Sequence, residues 1–426
     1  MSHKRPDFRR PAAPRGGVRV AAVLAAFAAL AALALLPGPS PSLAAAPAAQ
    51  AVGQAPGPEA IGFKKSFVVE IRNPSPIALP DHVITIDVPA VREAAAWDFN
   101  TYMYALFEEK DGAYTLVVSQ ADDFDKDRYH DEIVFVRSLP PSSTTRLLCY
   151  YTPERSIPKL MTTEKAYARG PWEAGGPEAG WESNLIGFKL VRGSLEFYGK
   201  IQAGLILRKL PAPETRLQDW GMDVLDAGES AGLGGLALWD GDSRVPLFGP
   251  AAPKPELHVL ATGPIRTLVR AAYPALRTAA GEISLTVSYS AFADNVFSRQ
   301  DVVVSTPAAG RAVLGPGLQK LPGETFVLDK DKGYLAAWGQ GADKAGEIGL
   351  AAIFPPAAFA GTDETALDRG IKLRARPGAA LSFWLTGAWE RGVLMPHVPA
   401  AKTWPRKVEA LAARLLVPVA VEFKAR

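Results

Sequence analysis

Ile283-Ser284-Leu285-Thr286-Val287-Ser288-Tyr289 alternates apolar and hydroxyl-bearing side chains at every second position, the period of a strand with one face in a core. The same period recurs in Phe67-Val68-Val69-Glu70-Ile71-Arg72 and in Val83-Ile84-Thr85-Ile86-Asp87-Val88. Further β-rich runs lie at 132–136, 145–151, 186–191, 266–273, 296–305, 348–354 and 381–385, separated by Gly, Pro and Asp clusters. Many short strands with turn signals between them predict an all-β sandwich or barrel rather than βαβ units. No repeat of 20–50 residues recurs, which argues against a propeller or solenoid.

One helix stands out near the C-terminus. Thr403 suits an N-cap, Pro405 its first turn, and Val408, Leu411 and Leu415 share one face before Pro418. The closing residues 417–423 suit a returning strand.

The N-terminus predicts export. Lys4, Arg5, Arg9, Arg10, Arg15 and Arg19 precede an uncharged apolar run over 20–36, with small residues for cleavage at Ser42-Leu43-Ala44 and Ala49-Gln50-Ala51. The expected organisation is a signal peptide at 1–51, a flexible linker at 52–60, a first β-unit at 61–155, a connecting segment at 156–180 and a main unit at 181–426. The apolar run is short and Ala-rich for a spanning helix, so no stable membrane span is expected after cleavage, and the mature chain is placed in the periplasm or outside the cell. Those six basic residues stand against Asp7 alone, so a chain with a net charge of +3 is left slightly acidic once they are removed. That balance excludes a basic nucleic-acid surface. The single cysteine, Cys149, sits in the apolar run Leu147-Leu148-Cys149-Tyr150-Tyr151 and reads as a buried structural thiol.

The chemistry-bearing segments are Trp181-Glu182-Ser183-Asn184 and Asp219-Trp220-Gly221-Met222-Asp223. Carboxylates and an amide accept and donate to hydroxyl groups while indoles cover C–H faces, the combination that reads sugars. The two segments look too polar for a core; the structural alternative makes the tryptophans core anchors and the acids turn residues. The loop Asp123-Phe124-Asp125-Lys126-Asp127-Arg128-Tyr129-His130-Asp131 spaces carboxylates as a calcium loop does, with Asp123, Asp125, Asp127 and Asp131 as ligands. Arg128 stands where glycine would permit the sharp turn and Val134 at the usual position of the last glutamate, so a solvated hairpin turn is the simpler reading, and no cofactor is required. Gly228-Glu229-Ser230-Ala231-Gly232 lacks the Lys-Ser/Thr of a phosphate loop, and no C-x-x-C, H-E-x-x-H or G-x-S-x-G occurs.

Taken in order, Trp181-Glu182-Ser183-Asn184-Leu185-Ile186-Gly187-Phe188, Phe197-Tyr198-Gly199-Lys200, Asp219-Trp220-Gly221-Met222-Asp223-Val224-Leu225 and Gly263-Pro264-Ile265-Arg266 resemble a bacterial family of secreted proteins. That family carries a domain of unknown function and is found among polysaccharide-degradation proteins. Gly317-Leu318-Gln319-Lys320, Tyr334-Leu335-Ala336-Ala337-Trp338-Gly339 and Gly387-Ala388-Trp389-Glu390 extend the resemblance over most of the mature chain. It implies a β-supersandwich like that of galactose mutarotases and an oligosaccharide partner. Family members tend to carry a histidine just before Asp-Trp-Gly-Met-Asp, where residues 214–218 read Glu-Thr-Arg-Leu-Gln, and another after the lysine matching Lys320, where Leu321 stands.

Three reactions fit the remaining residue types. Epimerisation needs a carboxylate base, which Glu182 or Asp219 supplies, and an opposing proton donor. Elimination on a uronic sugar needs a cation on the carboxylate and a base, for which Tyr198, Lys200, Arg266 and Lys320 are available. Hydrolysis needs two carboxylates, drawn from Glu182, Asp219, Asp223 and Glu390. The expected catalytic groups are Glu182, Tyr198, Lys200 and Asp219. Trp181, Asn184, Trp220, Asp223, Arg266, Lys320, Trp338, Trp389 and Glu390 are expected to hold the sugar. A binding protein without turnover is the alternative, and the sequence leaves the oligomeric state open.

Overall fold

The computed structural model describes residues 57–153, 162–172, 176–210, 215–278, 281–305, 312–394 and 400–426. The expected signal peptide and residues 52–56 of the expected linker lie outside them. The Ile283–Tyr289 run falls in strand Gly281–Phe292, with Ile283, Leu285, Val287 and Tyr289 buried and the residues between them half-buried. That strand belongs to an eight-stranded sheet in the order Glu256–Ala261, Arg266–Thr278, Gly281–Phe292, Phe297–Ser305, Leu381–Trp389, Glu347–Ile353, Tyr334–Gln340, Thr325–Asp329. Every pairing in it is antiparallel.

Two five-stranded antiparallel sheets cover one face of this sheet. The first runs Gly221–Asp223, Ser194–Lys200, Gly187–Val191, Ala179–Ser183, Ala166–Arg169; the second runs Ser243–Pro246, Leu236–Asp240, Ala312–Gln319, Asp368–Ala375, Phe359–Glu364. Phe188, Leu190 and Phe197 of the first, Leu314, Ile371 and Leu373 of the second, and Val287, Leu350 and Phe383 of the eight-stranded sheet share one core. Burying each such side chain is worth about 1.5–3 kcal/mol over leaving it in water. The fold is all-β, with face-to-face sheets as the period-two runs predict. Strand Ala166–Arg169 and the start of Ala179–Ser183 fall within the expected connecting segment.

The opposite face of the eight-stranded sheet packs Ala336, Trp338, Ala351 and Ile353 against Trp404, Val408, Leu411 and Ala412 of helix Ala400–Leu415. The helix starts at Ala400, so Thr403 is not its cap and Pro405 lies inside it. Tertiary packing explains the extra turn, since Trp404 is 4% exposed and its Nε1 donates to Leu350 O at 3.3 Å. A second helix, Val88–Ala94, went unread; Asp87 caps it by accepting from Ala90 N at 2.7 Å, and Pro89 sits in its first turn. Among the described residues no helix is long and apolar enough to cross a membrane.

Residues 65–151, joined by a C-terminal strand, form a second sandwich. A five-stranded sheet ordered Ala420–Ala425, Lys65–Asn73, Ser143–Tyr151, Tyr104–Lys110, Ala113–Val117 faces a three-stranded sheet of Leu79–Asp87, Glu132–Leu139 and Ser119–Asp122. Strand alternation serves two cores at once: Ile84, Ile86, Ile133 and Phe135 point into this sandwich, while Val83, Val134 and Val136 pack on the eight-stranded sheet. Cys149 is fully buried in the first of these cores, and burial pushes its thiol well above the usual value. Residues Gln54–Arg426 form one compact unit.

Candidate functional site

Strand period and register assemble the expected polar residues on the outer face of the first five-stranded sheet. Trp181 points into the core, so Glu182 points out; in Ser194–Lys200 the outward set is Glu196, Tyr198 and Lys200. Glu182 and Tyr198 both stand opposite Gly187, Tyr198 stands opposite Asp223, and Lys189 stands opposite Glu196. A lid of side chains covers this face: Trp172, Ile206, Leu207 and Leu210 pack with Tyr198, and Tyr167 and Trp220 flank them. Gly180 makes room for the Trp172 indole, because a Cβ there would stand 2.4 Å from the ring. The face is therefore polar yet buried, and charge pairing governs it.

Glu182 and Lys200 form an ion pair with both side chains fully buried, Lys200 Nζ to Glu182 Oε2 at 2.6 Å. Lys200 Nζ also donates to Ser183 O and Gly204 O, each at 2.7 Å, which uses all three of its protons. Glu182 Oε1 accepts from Leu207 N at 2.7 Å and from Ile206 N at 2.9 Å. Burial pulls the Lys200 ammonium below its usual value against the attraction of Glu182. The pair pins the turn after Lys200 to the sheet and has no free atom to offer a substrate. Glu182 and Lys200, both expected as catalytic groups, are thus placed in a buried pair whose hydrogen bonds run within the chain.

Beside it lies an unbalanced cluster. Lys189 Nζ stands 2.5 Å from Glu196 Oε2 and also pairs with Asp223 Oδ2, so two carboxylates share one ammonium. Glu196 Oε1 accepts from Ala227 N at 2.9 Å. Among the described residues Asp223 Oδ1 is buried with no partner, and so is the hydroxyl of Tyr198 on the adjacent strand. Burial pushes the Asp223 carboxyl up to about 6, against the pull of Lys189 and with Glu196 adding like charge. Burial works against the Lys189 charge as well, yet the two carboxylates hold its ammonium above the usual value. Burial, then the neighbouring carboxylates, raise the Tyr198 hydroxyl, so it is a neutral donor and not a base. Trp220, half-buried, meets the Tyr198 ring edge-on at 5.9 Å, and Asp219 is exposed on the preceding turn.

The other expected ligand groups scatter. Trp181 is fully buried, stacks on Phe188 and donates Nε1 to Ser298 Oγ at 3.0 Å. Trp338 and Trp389 are 2% and 1% exposed and donate to Glu347 Oε2 and Ala345 O. These three indoles are core residues, because inward strand positions bury them, and they present no face to a sugar. Asn184 exchanges two hydrogen bonds with Asp294. Arg266 clamps the N-terminal sandwich to the eight-stranded sheet through Asp122 Oδ2 at 2.5 Å and Glu132 Oε2 at 2.7 Å. Lys320 pairs with Glu364 at 2.6 Å, and Glu390 lies 3.5 Å from Arg391. None of these joins the Tyr198–Asp223 cluster, whereas Lys189 and Glu196, unread in the sequence, do. Their signal was a charged residue at alternate positions in two otherwise apolar strands, Phe188-Lys189-Leu190 and Leu195-Glu196-Phe197.

In the acidic loop, carboxylate oxygens of Asp123, Asp125 and Asp131 lie within 4.8 Å of one another. Asp127 is outside this group and accepts from Tyr129 N at 2.7 Å. Asp123 accepts from Lys126 N and Arg128 N, and Asp131 from Phe124 N, so the loop closes on its own hydrogen bonds as an Asx-turn does.

Over residues 71–421 the chain matches a family described as a domain of unknown function, DUF4861, and it belongs to that family. No curated protein matches it. Among solved structures it is similar to an alpha-mannosidase from Enterococcus faecalis V583, with a TM-score of 0.43 and 9% identity over 85% of this chain and 46% of that one. It is also similar to a glycosyl hydrolase family 38 protein from Enterococcus faecalis, with a TM-score of 0.46 and 9% identity over 86% and 48% of the respective chains. The chain spans about half the length of these structures.

Proposed function

We propose that this is an exported protein that binds an oligosaccharide at the outer face of the first five-stranded sheet and moves a proton through Asp223. The observation that carries the reading is that two adjacent strands each hold a buried oxygen without a hydrogen-bond partner among the described residues, Asp223 Oδ1 and Tyr198 Oη, with the carboxyl pushed up to about 6. A carboxyl that titrates near neutral pH serves as acid or base, and a sugar hydroxyl would satisfy both orphaned atoms. Trp220, edge-on to Tyr198, and the exposed Asp219 lie beside these atoms. Proton transfer at a sugar carbon, as in epimerisation, suits this set. Elimination on a uronic sugar is less well served, because Lys200 and Arg266 are committed to buried carboxylates.

The fully satisfied Glu182–Lys200 pair favours a second reading, oligosaccharide binding without turnover. Incubating the chain from residue 52 onward with neutral and acidic oligosaccharides in deuterated water, with and without calcium, separates the two. Deuterium incorporation or a mass change that Asp223→Asn abolishes, with affinity retained, supports proton transfer. Binding with neither change supports the second reading, and turnover that survives Asp223→Asn removes Asp223 from the mechanism.

A further inference from the structure

The three most exposed large hydrophobic side chains among the described residues are all aromatic: Trp97 at 83%, Tyr129 at 64% and Tyr102 at 60%. They sit on two loops that touch. Tyr102 Oη donates to Arg128 O at 2.6 Å, His130 Nδ1 lies 2.9 Å from Thr101 Oγ1, and the Tyr102 and His130 rings stand 4.6 Å apart. Isolated exposed aromatics need no explanation, but three on two touching loops do.

The backbone that presents these rings is anchored. Trp97 projects between Ala96 and Phe99, both buried, and the intervening Asp98 accepts from Tyr151 Oη at 2.9 Å and pairs with Lys65. Tyr129 follows Asp127, whose carboxylate accepts its N–H. Presenting a large ring on a fixed backbone reduces the entropy lost when a ligand stacks on it. No aliphatic residue of either loop is among the exposed large hydrophobics, unlike the mixed apolar surface a protein partner would use. Asp125 and Asp127 add exposed carboxylate acceptors beside the rings. Residues 123–131 carry four carboxylates against Lys126 and Arg128, a balance that repels polyanions.

We infer that Trp97, Tyr102 and Tyr129 form a second binding surface that docks a neutral polysaccharide chain through stacking on its sugar rings, with the loop carboxylates accepting its hydroxyls. An exposed surface suits an extended chain more than a small ligand, which is bound in concave sites. This surface uses neither Tyr198 nor Asp223, so it stands or falls separately from the proton-transfer site.

Native gel electrophoresis of the chain through hydroxyethylcellulose, galactomannan and polygalacturonate tests it. Retardation by at least one neutral polymer is expected. Trp97→Ala with Tyr129→Ala should weaken it on the order of tenfold, and Trp97→Ala alone by part of that. The exposure of both rings means that the variants keep the parent's circular dichroism spectrum. Tyr102→Phe keeps the ring while removing its bond to Arg128 and should weaken retardation by less than the double variant. Absence of retardation by both neutral polymers, retardation by polygalacturonate alone, or equal retardation of the double variant would overturn the inference.

Discussion

Replacing Asp223 by Asn should stabilise this protein at neutral pH, although the side chain lies in a buried ion cluster. The carboxyl is raised from 3.8 to about 6 in the folded chain. A carboxyl raised on folding leaves stability intact below its unfolded value and lowers it as pH rises through the folded value. The window here is from roughly pH 4 to 6. A shift of that size corresponds to about 3 kcal/mol held against the fold above pH 6. Asn keeps the shape and removes the charge, and Lys189 retains Glu196 at 2.5 Å, so the cluster becomes one cation with one anion. Urea unfolding of parent and variant at pH 7.5 and pH 4 reads the effect. The variant should be more stable by about 2–3 kcal/mol at pH 7.5 and equal to the parent at pH 4. A variant less stable than the parent at pH 7.5 would refute the reasoning, because it would mean that the ionised carboxylate supports the fold. The expected outcome bears on function as well, since a charge that opposes folding is a mark of a working site.

Three further outcomes follow from the same geometry. Tyr198→Phe removes a buried hydroxyl that has no partner, so thermal unfolding should show a gain of about 1 kcal/mol, while titration calorimetry with a bound oligosaccharide should show weaker binding. Lys200→Met strands the Glu182 carboxylate and should cost about 3–5 kcal/mol in urea unfolding; adding Glu182→Gln should restore most of it, and a double variant as unstable as the single would disprove the pairing argument. Gly199→Ala places a Cβ 2.5 Å from the buried Trp389 ring and should cost about 1–3 kcal/mol by the same measurement.

How much of this was legible depended on the range of the interaction. Strands such as Gly281–Phe292 were readable because a half-buried strand writes its period into consecutive residues. Their pairing was not: residues that meet across the sheets are set by register, which leaves no local mark. The site shows the same division. Tyr198 and Asp223 were singled out, and register brings them face to face. The polarity of Trp181-Glu182-Ser183 suggested an accessible segment, yet all three are buried, because Lys200, 18 positions on, neutralises Glu182. A buried charge looks like a surface charge until its partner is known. Helix Val88–Ala94 was missed for a different reason: its seven residues hold too few turns to show a helical period.

Strand Ala420–Ala425 completes the sheet that begins with Lys65–Asn73, and Lys424 meets Glu70 across 354 positions. Since contacts of such long range form late, the N-terminal sandwich waits for residues 420–425 before its five-stranded sheet is complete. During synthesis its half-built edge stays open for the time taken to make the rest, a period in which unpaired strands seek other partners. For the experimenter it means that removing residues 420–425 leaves Lys65–Asn73 as the open edge of a four-stranded sheet.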